Sequence, residues 1–514
     1  MRVSTLIAAA AGCAQAFVLP QTFLDAFQLS SGVDEQSFFW PHKPYFLKHE
    51  VDPESFPDDI ELAELNSTAW DLYQIAGTSN RTYGHPTRVI GSEGHWNTLN
   101  YILRQFDEMR DYYEISTQSF KALNGKVYHY DLNYTNGAKV PTAQAFSLSP
   151  PAAPFVGKLV EIPNLGCTDA DFEALTITED SIALIERGEC PFGKKSSLAG
   201  KHGFKAVVIY DNDPTSEKGV SGTLEKPTNH TVSTVGVSFA VGQELILGIT
   251  LDPHFSLFYY MDSYVNEIET KNIIADTKHG DPENIVALGA HTDSVAAGPG
   301  INDDGSGTIS LLAVAKHLSN YKINNKVRFA FWAAEEEGLV GSNYYAEHLT
   351  PEENLKMRLF MDYDMMASPN YQYQIYDANN IDNPRGSEEL RDLYIDYYTE
   401  HGLNYTLIPF DGRSDYVGFI EHGIPGGGIA AGAEGKNTDN GKVLDRCYHE
   451  LCDDVNNLNW EAFLTNTQLI AYSVARYADS LKGFPEREIN ATVTASSADI
   501  QYKYPYKGGA NLLL

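Results

Sequence analysis

At 514 residues the chain is long enough for two or three domains. Its 43% hydrophobic and 21% charged residues lie in the globular range. A formal net charge of −32 argues against nucleic acid and against an anionic membrane as partners.

In chain order, the N-terminus reads as an export signal. Arg2 supplies the positive start and residues 3–11 a short, alanine-rich apolar core. Ala14-Gln15-Ala16 offers the small residues of a cleavage site, so residues 1–16 are expected to leave as a signal peptide. No other stretch is apolar for long enough to span a bilayer. A soluble chain in the secretory route follows, extracellular or, as the alternative address, vacuolar. Residues 17–60 carry little pattern and read as an N-terminal extension or pro-segment. Thr87-Arg88-Val89-Ile90-Gly91-Ser92 precedes a stretch with helical apolar spacing, residues 96–109, and a β-rich stretch covers 113–148.

Between residues 150 and 250 short apolar runs alternate with glycine-rich turns, and no metal or nucleophile pattern falls inside. From about residue 270 strands and helices alternate. Ile285-Val286-Ala287-Leu288-Gly289-Ala290 reads as a buried strand ending at His291, and 307–318 as an apolar helix. Residues 327–334 read as a second strand ending at Glu335, 342–348 as the start of a helix, and 359–363 as a third strand ending at Asp364. This alternation implies an α/β fold with a mostly parallel central sheet flanked by helices. Residues 491–514 read as a polar tail.

Cysteine usage agrees with an oxidising compartment. Cys13 leaves with the signal, and Cys167, Cys190, Cys447 and Cys452 remain. They allow three connectivities, of which local pairing, Cys167–Cys190 and Cys447–Cys452, is the simplest. Asn66, Asn80, Asn133, Asn229, Asn404 and Asn490 head Asn-x-Ser/Thr sequons, candidate glycosylation sites in a secreted chain.

The chemistry concentrates at the strand ends, where side chains converge on one edge of a parallel sheet. His291 heads His291-Thr292-Asp293, in which Asp293 can accept the ligand's other ring N–H and fix its tautomer. Asp303 sits in a glycine-rich loop opening a helix, where a carboxylate can bridge two cations. Glu335 and Glu336 are adjacent at a strand end and point in different directions, so one can bind metal while the other serves as a base. Asp364 and His449 complete two sets of ligands. Imidazole and carboxylate together suit zinc. Singly each group has an ordinary explanation as a turn, a helix start or packing; the ordered set points to a two-metal hydrolase.

The stretch from Ile185 to Phe192, with the segment through Tyr210, resembles a protease-associated domain. The ordered motifs resemble the di-zinc aminopeptidase family that includes fungal leucine aminopeptidases, aminopeptidase Y and bacterial secreted aminopeptidases. They are His291-Thr292-Asp293, Asp303-Asp304-Gly305-Ser306-Gly307, Ala333-Ala334-Glu335-Glu336-Glu337-Gly338, Asp364-Met365 and Asp445-Arg446-Cys447-Tyr448-His449. Gly412-Arg413-Ser414-Asp415-Tyr416 fits the same likeness. The resemblance implies a zinc exopeptidase fold over 61–130 and 255–490, with a β-rich protease-associated insert at 131–254. It implies two Zn2+ per chain, held by His291 and Asp364 on one side and Glu336 and His449 on the other, with Asp303 bridging. It makes Glu335 the general base, Tyr448 the donor to the oxyanion and Arg413 a substrate contact; Asp293, read above as orienting His291, is counted with Glu335 and Tyr448 as catalytic. It also suggests a cis Asp303–Asp304 peptide. Glu337 leaves the base-and-ligand assignment open to a one-residue slip, anchored only by Gly338-Leu339.

The expected activity is release of N-terminal residues, leucine and other apolar residues among them, from peptides with a free N-terminus by a monomeric enzyme. Two other readings share these motifs. One is a carboxypeptidase-type zinc exopeptidase of the same clan, which needs a cationic pocket for a substrate carboxylate. The other is a metal-free, receptor-like binding protein.

Overall fold

The structure, a computed structural model, describes residues 44–224 and 227–488. The expected signal peptide, Asn490 and the tail lie outside the described residues, as do residues 17–43 of the N-terminal extension.

Helices α1 (Leu62–Ala76) and α2 (Glu93–Glu108) come first. Helix α2 buries His95, Thr98, Leu99, Ile102 and Phe106, the spacing of a one-faced helix. Its start is set by Ser92, whose side chain accepts the His95 N–H at 3.1 Å. The helix therefore begins at its capping serine, ahead of the apolar pattern that announced it.

Strand β1 (Tyr113–Tyr134) leads into the insert, which holds β2 (Ala152–Glu161), β3 (Ser181–Glu186), α3 (Phe192–Lys201), β4 (Ala206–Tyr210), β5 (Ser233–Val237) and α4 (Phe239–Leu251). Strand β6 (Ser256–Thr277) returns, antiparallel to β1 along its whole length, from Tyr113 beside Thr277 to Tyr134 beside Leu257. Strands β2 to β5 run parallel, and β4 and the centre of β3, residues 182–185, are apolar because both faces are covered. Ile182, Leu184 and Val208 pack on one side, Ala183, Ile185, Val207 and Ile209 on the other.

The remaining elements are β7 (Asp281–His291), α5 (Gly305–Leu318), β8 (Asn325–Trp332), α6 (Val340–Glu347), β9 (Met357–Tyr363), β10 (Tyr373–Tyr376), α7 (Ser387–Glu400), β11 (Tyr405–Ile408), α8 (Tyr416–Glu421), β12 (Gly426–Ala430) and α9 (Trp460–Asp479). One sheet runs β11-β10-β12-β9-β7-β8-β6-β2-β3-β4-β5. Its centre, β12-β9-β7-β8, is parallel, and β6 and β10 join it antiparallel. From Lys48 onward both halves form one compact unit.

The parallel strands stop in register, with Trp332 beside His291 and Asp362 beside Gly289. Strand β8 ends before Ala334, short of its expected reach. Ala334 takes a left-handed φ of 63°, incompatible with a strand, and the turn so formed carries Glu335.

Phe106, fully buried on α2, meets Tyr113 and Phe331 edge-on, with ring centroids 5.1 and 5.7 Å apart. Phe106→Ala is expected to cost about 3–5 kcal/mol, seen as an earlier urea unfolding midpoint. An unshifted midpoint would deny this contact its place in the core.

Candidate active site

At the C-terminal edge of the parallel strands the chain gathers His291, Asp303, Glu335, Glu336, Asp364 and His449. Each has a distinct local reason to be there. His291 is the last residue of β7 and Asp364 the first after β9. Asp303 precedes α5, whose N-cap is Asp304. The Asp304 side chain accepts N–H bonds from Gly307 at 2.8 Å, His291 at 3.1 Å and Met365 at 3.1 Å, so one carboxylate ties the helix to two strand ends. Gly307 permits this closeness, since a Cβ there would lie 2.1 Å from the Tyr363 carbonyl oxygen. The Asp303–Asp304 peptide is cis, as the family likeness suggested. Left-handed φ at Ala334, Met365 and His449 sharpens the turns beside the site, at a cost of about 1–2 kcal/mol per non-glycine residue.

The two oxygens of Asp303 face different histidines. Its Oδ1 is 3.2 Å from His291 Nε2, and its Oδ2 is 3.1 Å from His449 Nε2. Asp364 Oδ1 is 3.8 Å from His291 Nε2, and Glu336 Oε2 is 3.1 Å from His449 Nε2. Glu335 Oε2 stands 3.9 Å from His291 Nε2. Three groupings close enough to share an ion result: His291, Asp303 and Asp364; Asp303, Glu336 and His449; and His291, Glu335 and Glu336.

Charges in this ring are strongly coupled. Burial works to lower the imidazoles, but the acids around them outweigh it. They hold His291 well above its usual range and His449 at about 10. Burial works to raise Asp303, and the two imidazoles overcome it and keep its carboxyl below the ordinary range. Burial lifts Glu335 well above its ordinary value and Asp364 to about 7, His291 opposing both. The ring thus calls for positive charge at two points, which divalent cations can supply.

The donor set fits that group. His291 Nε2, Asp303 Oδ2, Glu336 Oε1 and Asp364 Oδ1 are buried with no hydrogen-bond partner among the described residues. Buried polar atoms of this kind require an explanation. Nitrogen and carboxylate donors converging from both sides of one shared carboxylate are the composition of a zinc site.

Asp293 behaves differently from expectation. Its Oδ1 is 3.8 Å from His291 Nδ1, beyond hydrogen-bond length. Instead its two oxygens accept the backbone N–H groups of Glu335 and Glu336, each at 3.3 Å. It positions the glutamate turn, because two amides of that turn reach it first. Glu337 turns away from the ring and lies against Asp293. The geometry therefore leaves Glu335 and Glu336, and not Glu337, facing the histidines.

Tyr448 and His449 stack, with ring centroids 3.8 Å apart, on the loop closed by the Cys447–Cys452 disulfide. Cys167–Cys190 forms the other bridge, so both local pairings hold. Arg413 donates to the Tyr448 hydroxyl at 3.1 Å and to Glu434 Oε2 at 3.0 Å. Arginine is donor-only, so Tyr448 accepts that bond and keeps its own proton for another partner. Asp453, just past the disulfide, accepts the backbone N–H groups of Asn302 and Asp303 at 3.0 and 3.1 Å. A single loop thus carries His449 and fixes the backbone of Asp303.

A cavity of about 1480 Å³ opens above the ring. Glu336, Tyr448 and His449 line it together with Tyr128 of β1 and the insert residues Asp213 and Lys218. Of the sequons, Asn80, Asn229 and Asn404 are exposed, Asn66 is half-buried on α1, and Asn133 is half-buried on the cavity wall.

Comparison with known proteins decides the family. Residues 272–474 match the model of peptidase family M28, and residues 155–245 match the PA domain. Aminopeptidase Y of Saccharomyces cerevisiae is 62% identical over 491 residues, 92% of this chain and 91% of that protein. The chain belongs to peptidase family M28. A probable leucine aminopeptidase 2 of Aspergillus oryzae is 40% identical over 458 residues, 86% of this chain and 90% of that one. Among solved structures, an aminopeptidase from Aneurinibacillus sp. strain AM-1 is similar at a TM-score of 0.70 and 26% identity, covering 85% of this chain and 99% of that one. The chain is a peptidase with a PA domain inserted in its sheet.

Several residues of this peptidase's site were not singled out from sequence. Glu434 lies in Gly432-Ala433-Glu434-Gly435, an acid in a glycine-flanked turn a few residues past the end of β12, too far from the apolar run to be marked as a strand end. Asp453 acts through backbone amides, as does Asp304, which stood in the Asp303-Asp304-Gly305 motif without that role being displayed there. Glu434→Ala frees Arg413 and, through it, Tyr448. It is expected to lower kcat while leaving metal content and KM near wild type. A fall in metal content instead would move Glu434 into the ligand scaffold.

Proposed function

We propose that this peptidase is a zinc-dependent aminopeptidase with two zinc ions, acting on peptides with a free N-terminus. The observation that carries this reading is Asp303, whose two oxygens lie 3.2 and 3.1 Å from two different histidines. His291 and Asp364 would hold one ion, Glu336 and His449 the other, with Asp303 shared. When bound, zinc supplies a Lewis acid for a carbonyl oxygen and makes water acidic enough to ionise near neutral pH.

The chain's own residues do the rest. Glu335 is the base that takes a proton from the attacking water and returns it to the departing amine nitrogen as the C–N bond breaks. Burial makes its carboxylate more basic than a solvated one. Tyr448, its hydroxyl oxygen already engaged by Arg413, turns its proton toward the oxygen that gains charge as the carbonyl carbon becomes tetrahedral. The acids around the ring attract an ammonium group, which favours a free N-terminus over a blocked one. Leucine and other apolar residues are the N-terminal residues we propose, in line with the names of the Aspergillus relatives. Monomeric action and export after cleavage at Ala16, to the exterior or the vacuole, belong to the same reading. Both disulfides accord with an oxidising compartment.

A carboxypeptidase would need a free cation for the substrate carboxylate, whereas Arg413 is engaged by Glu434 and Tyr448. A metal-free binding protein would not need two histidines and three further acids gathered around one carboxylate. Hydrolysis of leucine p-nitroanilide, with N-acetylated leucine p-nitroanilide untouched and activity abolished by a chelator, is the expected result. Cleavage of the blocked substrate, or indifference to chelator, would overturn the proposal.

Glu335→Gln is expected to keep zinc and lose at least about 10²-fold in kcat. Near-wild-type turnover in that variant would remove Glu335 from the role of base. His449→Ala should lose zinc and activity together, and metal analysis showing two ions per chain would exclude it as a ligand.

A further inference from the structure

Arg88 lies outside the residues matched by either family model, yet it sits beneath the candidate metal centre. It is fully buried. Its Nε donates to the Pro299 carbonyl oxygen at 2.9 Å, Nη1 to that of Thr292 and Nη2 to that of Gly300. Its backbone N–H donates to Ser294 Oγ at 2.9 Å, and the neighbouring Thr87 hydroxyl to the Val295 carbonyl oxygen at 3.0 Å. His95 Nε2 meets the Thr292 hydroxyl at 3.0 Å. The segment between Thr87 and His95 therefore grips the loop 292–300 along its length. That loop joins His291 at one end to Asp303 at the other. Gly300, at a φ of 60°, is forced to be glycine by the closeness of the wrap, since a Cβ there would lie 2.2 Å from the Asp303 carbonyl oxygen.

Among the described residues no carboxylate hydrogen-bonds this guanidinium. Asp293, Asp304, Asp453 and Asp303 act on it only through their fields. Its donors are spent on backbone carbonyls, which fix a chain path. We infer that Arg88 is a positioning residue of the metal centre: it folds the loop 292–300 so that His291 and Asp303 stand ready for a cation before one binds.

Geometry and charge predict opposite signs here, which makes the inference testable. As a bare positive charge, Arg88 would repel a divalent cation, and its removal would tighten binding. As a three-carbonyl clamp, it would loosen binding when replaced, even by another cation, because lysine lacks the planar fork. The inference rests on the zinc reading above, and the two are separated by measuring wild type first. Zinc affinity of the full-length, metal-stripped protein is read by competition with a chromophoric chelator. Failure of wild type to bind zinc would sink that reading itself, and this one with it. Once wild type binds, only the ratio of variant to wild type tests Arg88.

Arg88→Lys is expected to weaken zinc binding about 10- to 100-fold, and Arg88→Gln at least as much. In both, kcat should recover toward wild type as zinc is raised to saturation. Wild-type affinity in Arg88→Lys, or tighter binding in Arg88→Gln, overturns the inference. Should neither variant fold, Ser294→Ala loosens the same grip from the loop side. Weakened zinc binding at a near-wild-type melting temperature supports the clamp, and unchanged affinity overturns it.

Discussion

Carboxylates crowded at one sheet edge repel one another, and the architecture around the site answers that repulsion. Asp304 sits at the N-terminus of α5, where the helix dipole favours negative charge, and it takes three backbone N–H groups. Asp293 and Asp453 each take two. Arg88 adds a buried cation within the field of the same acids. These acids are satisfied by the protein alone. Asp303, Glu336 and Asp364 are not, and each keeps a buried oxygen without a partner. Glu337, Asp362, Asp415 and Glu434 also keep such an oxygen, but only Asp303, Glu336 and Asp364 converge with the two histidines closely enough to share an ion.

Sequence displayed the unsatisfied acids better than the satisfied ones. His291, Glu335 and Asp364 each follow a short apolar run, and the rule that parallel strands end on one edge sufficed to bring them together. Strand β8 ended before Ala334, because a left-handed residue is invisible to hydrophobic pattern. The supporting contacts were less legible for a different reason. Arg88 grips carbonyls more than two hundred positions along the chain, and backbone carbonyls carry no residue signature. The expected pairing of Asp293 with the His291 ring gave way to the amides of Glu335 and Glu336, a competition that residue spacing does not register.

The loop from Asp445 to Asp453 joins functions that look separate in the sequence. Asp445 accepts the Cys447 N–H at 2.8 Å and the Asn302 side-chain amide at 2.7 Å. Asp453 holds Asn302 and Asp303 from the other end, and the Cys447–Cys452 bridge closes the loop between them. The ring of His449, the hydroxyl of Tyr448 and the backbone of Asp303 are therefore positioned by one disulfide-closed loop. Arg413, itself held by Glu434, donates to the same hydroxyl from outside this loop.

Strands β1 and β6 have a mechanical consequence. Each is 22 residues long, so the pair forms a ribbon about 70 Å end to end. Residues 273–276 of β6 are stitched to β8 beside the catalytic edge, and residues 256–261, near its other end, to β2 in the PA domain. Such a ribbon is stiff along its length and bends most easily out of its plane. Residues 125–133 of β1 line the cavity, and the other end of the same strand runs beside the part of β6 that pairs with β8. The wall facing the site and the strand flanking it are therefore two ends of one beam, so the width of the cavity is set by the same hydrogen-bonded ladder that borders the catalytic edge.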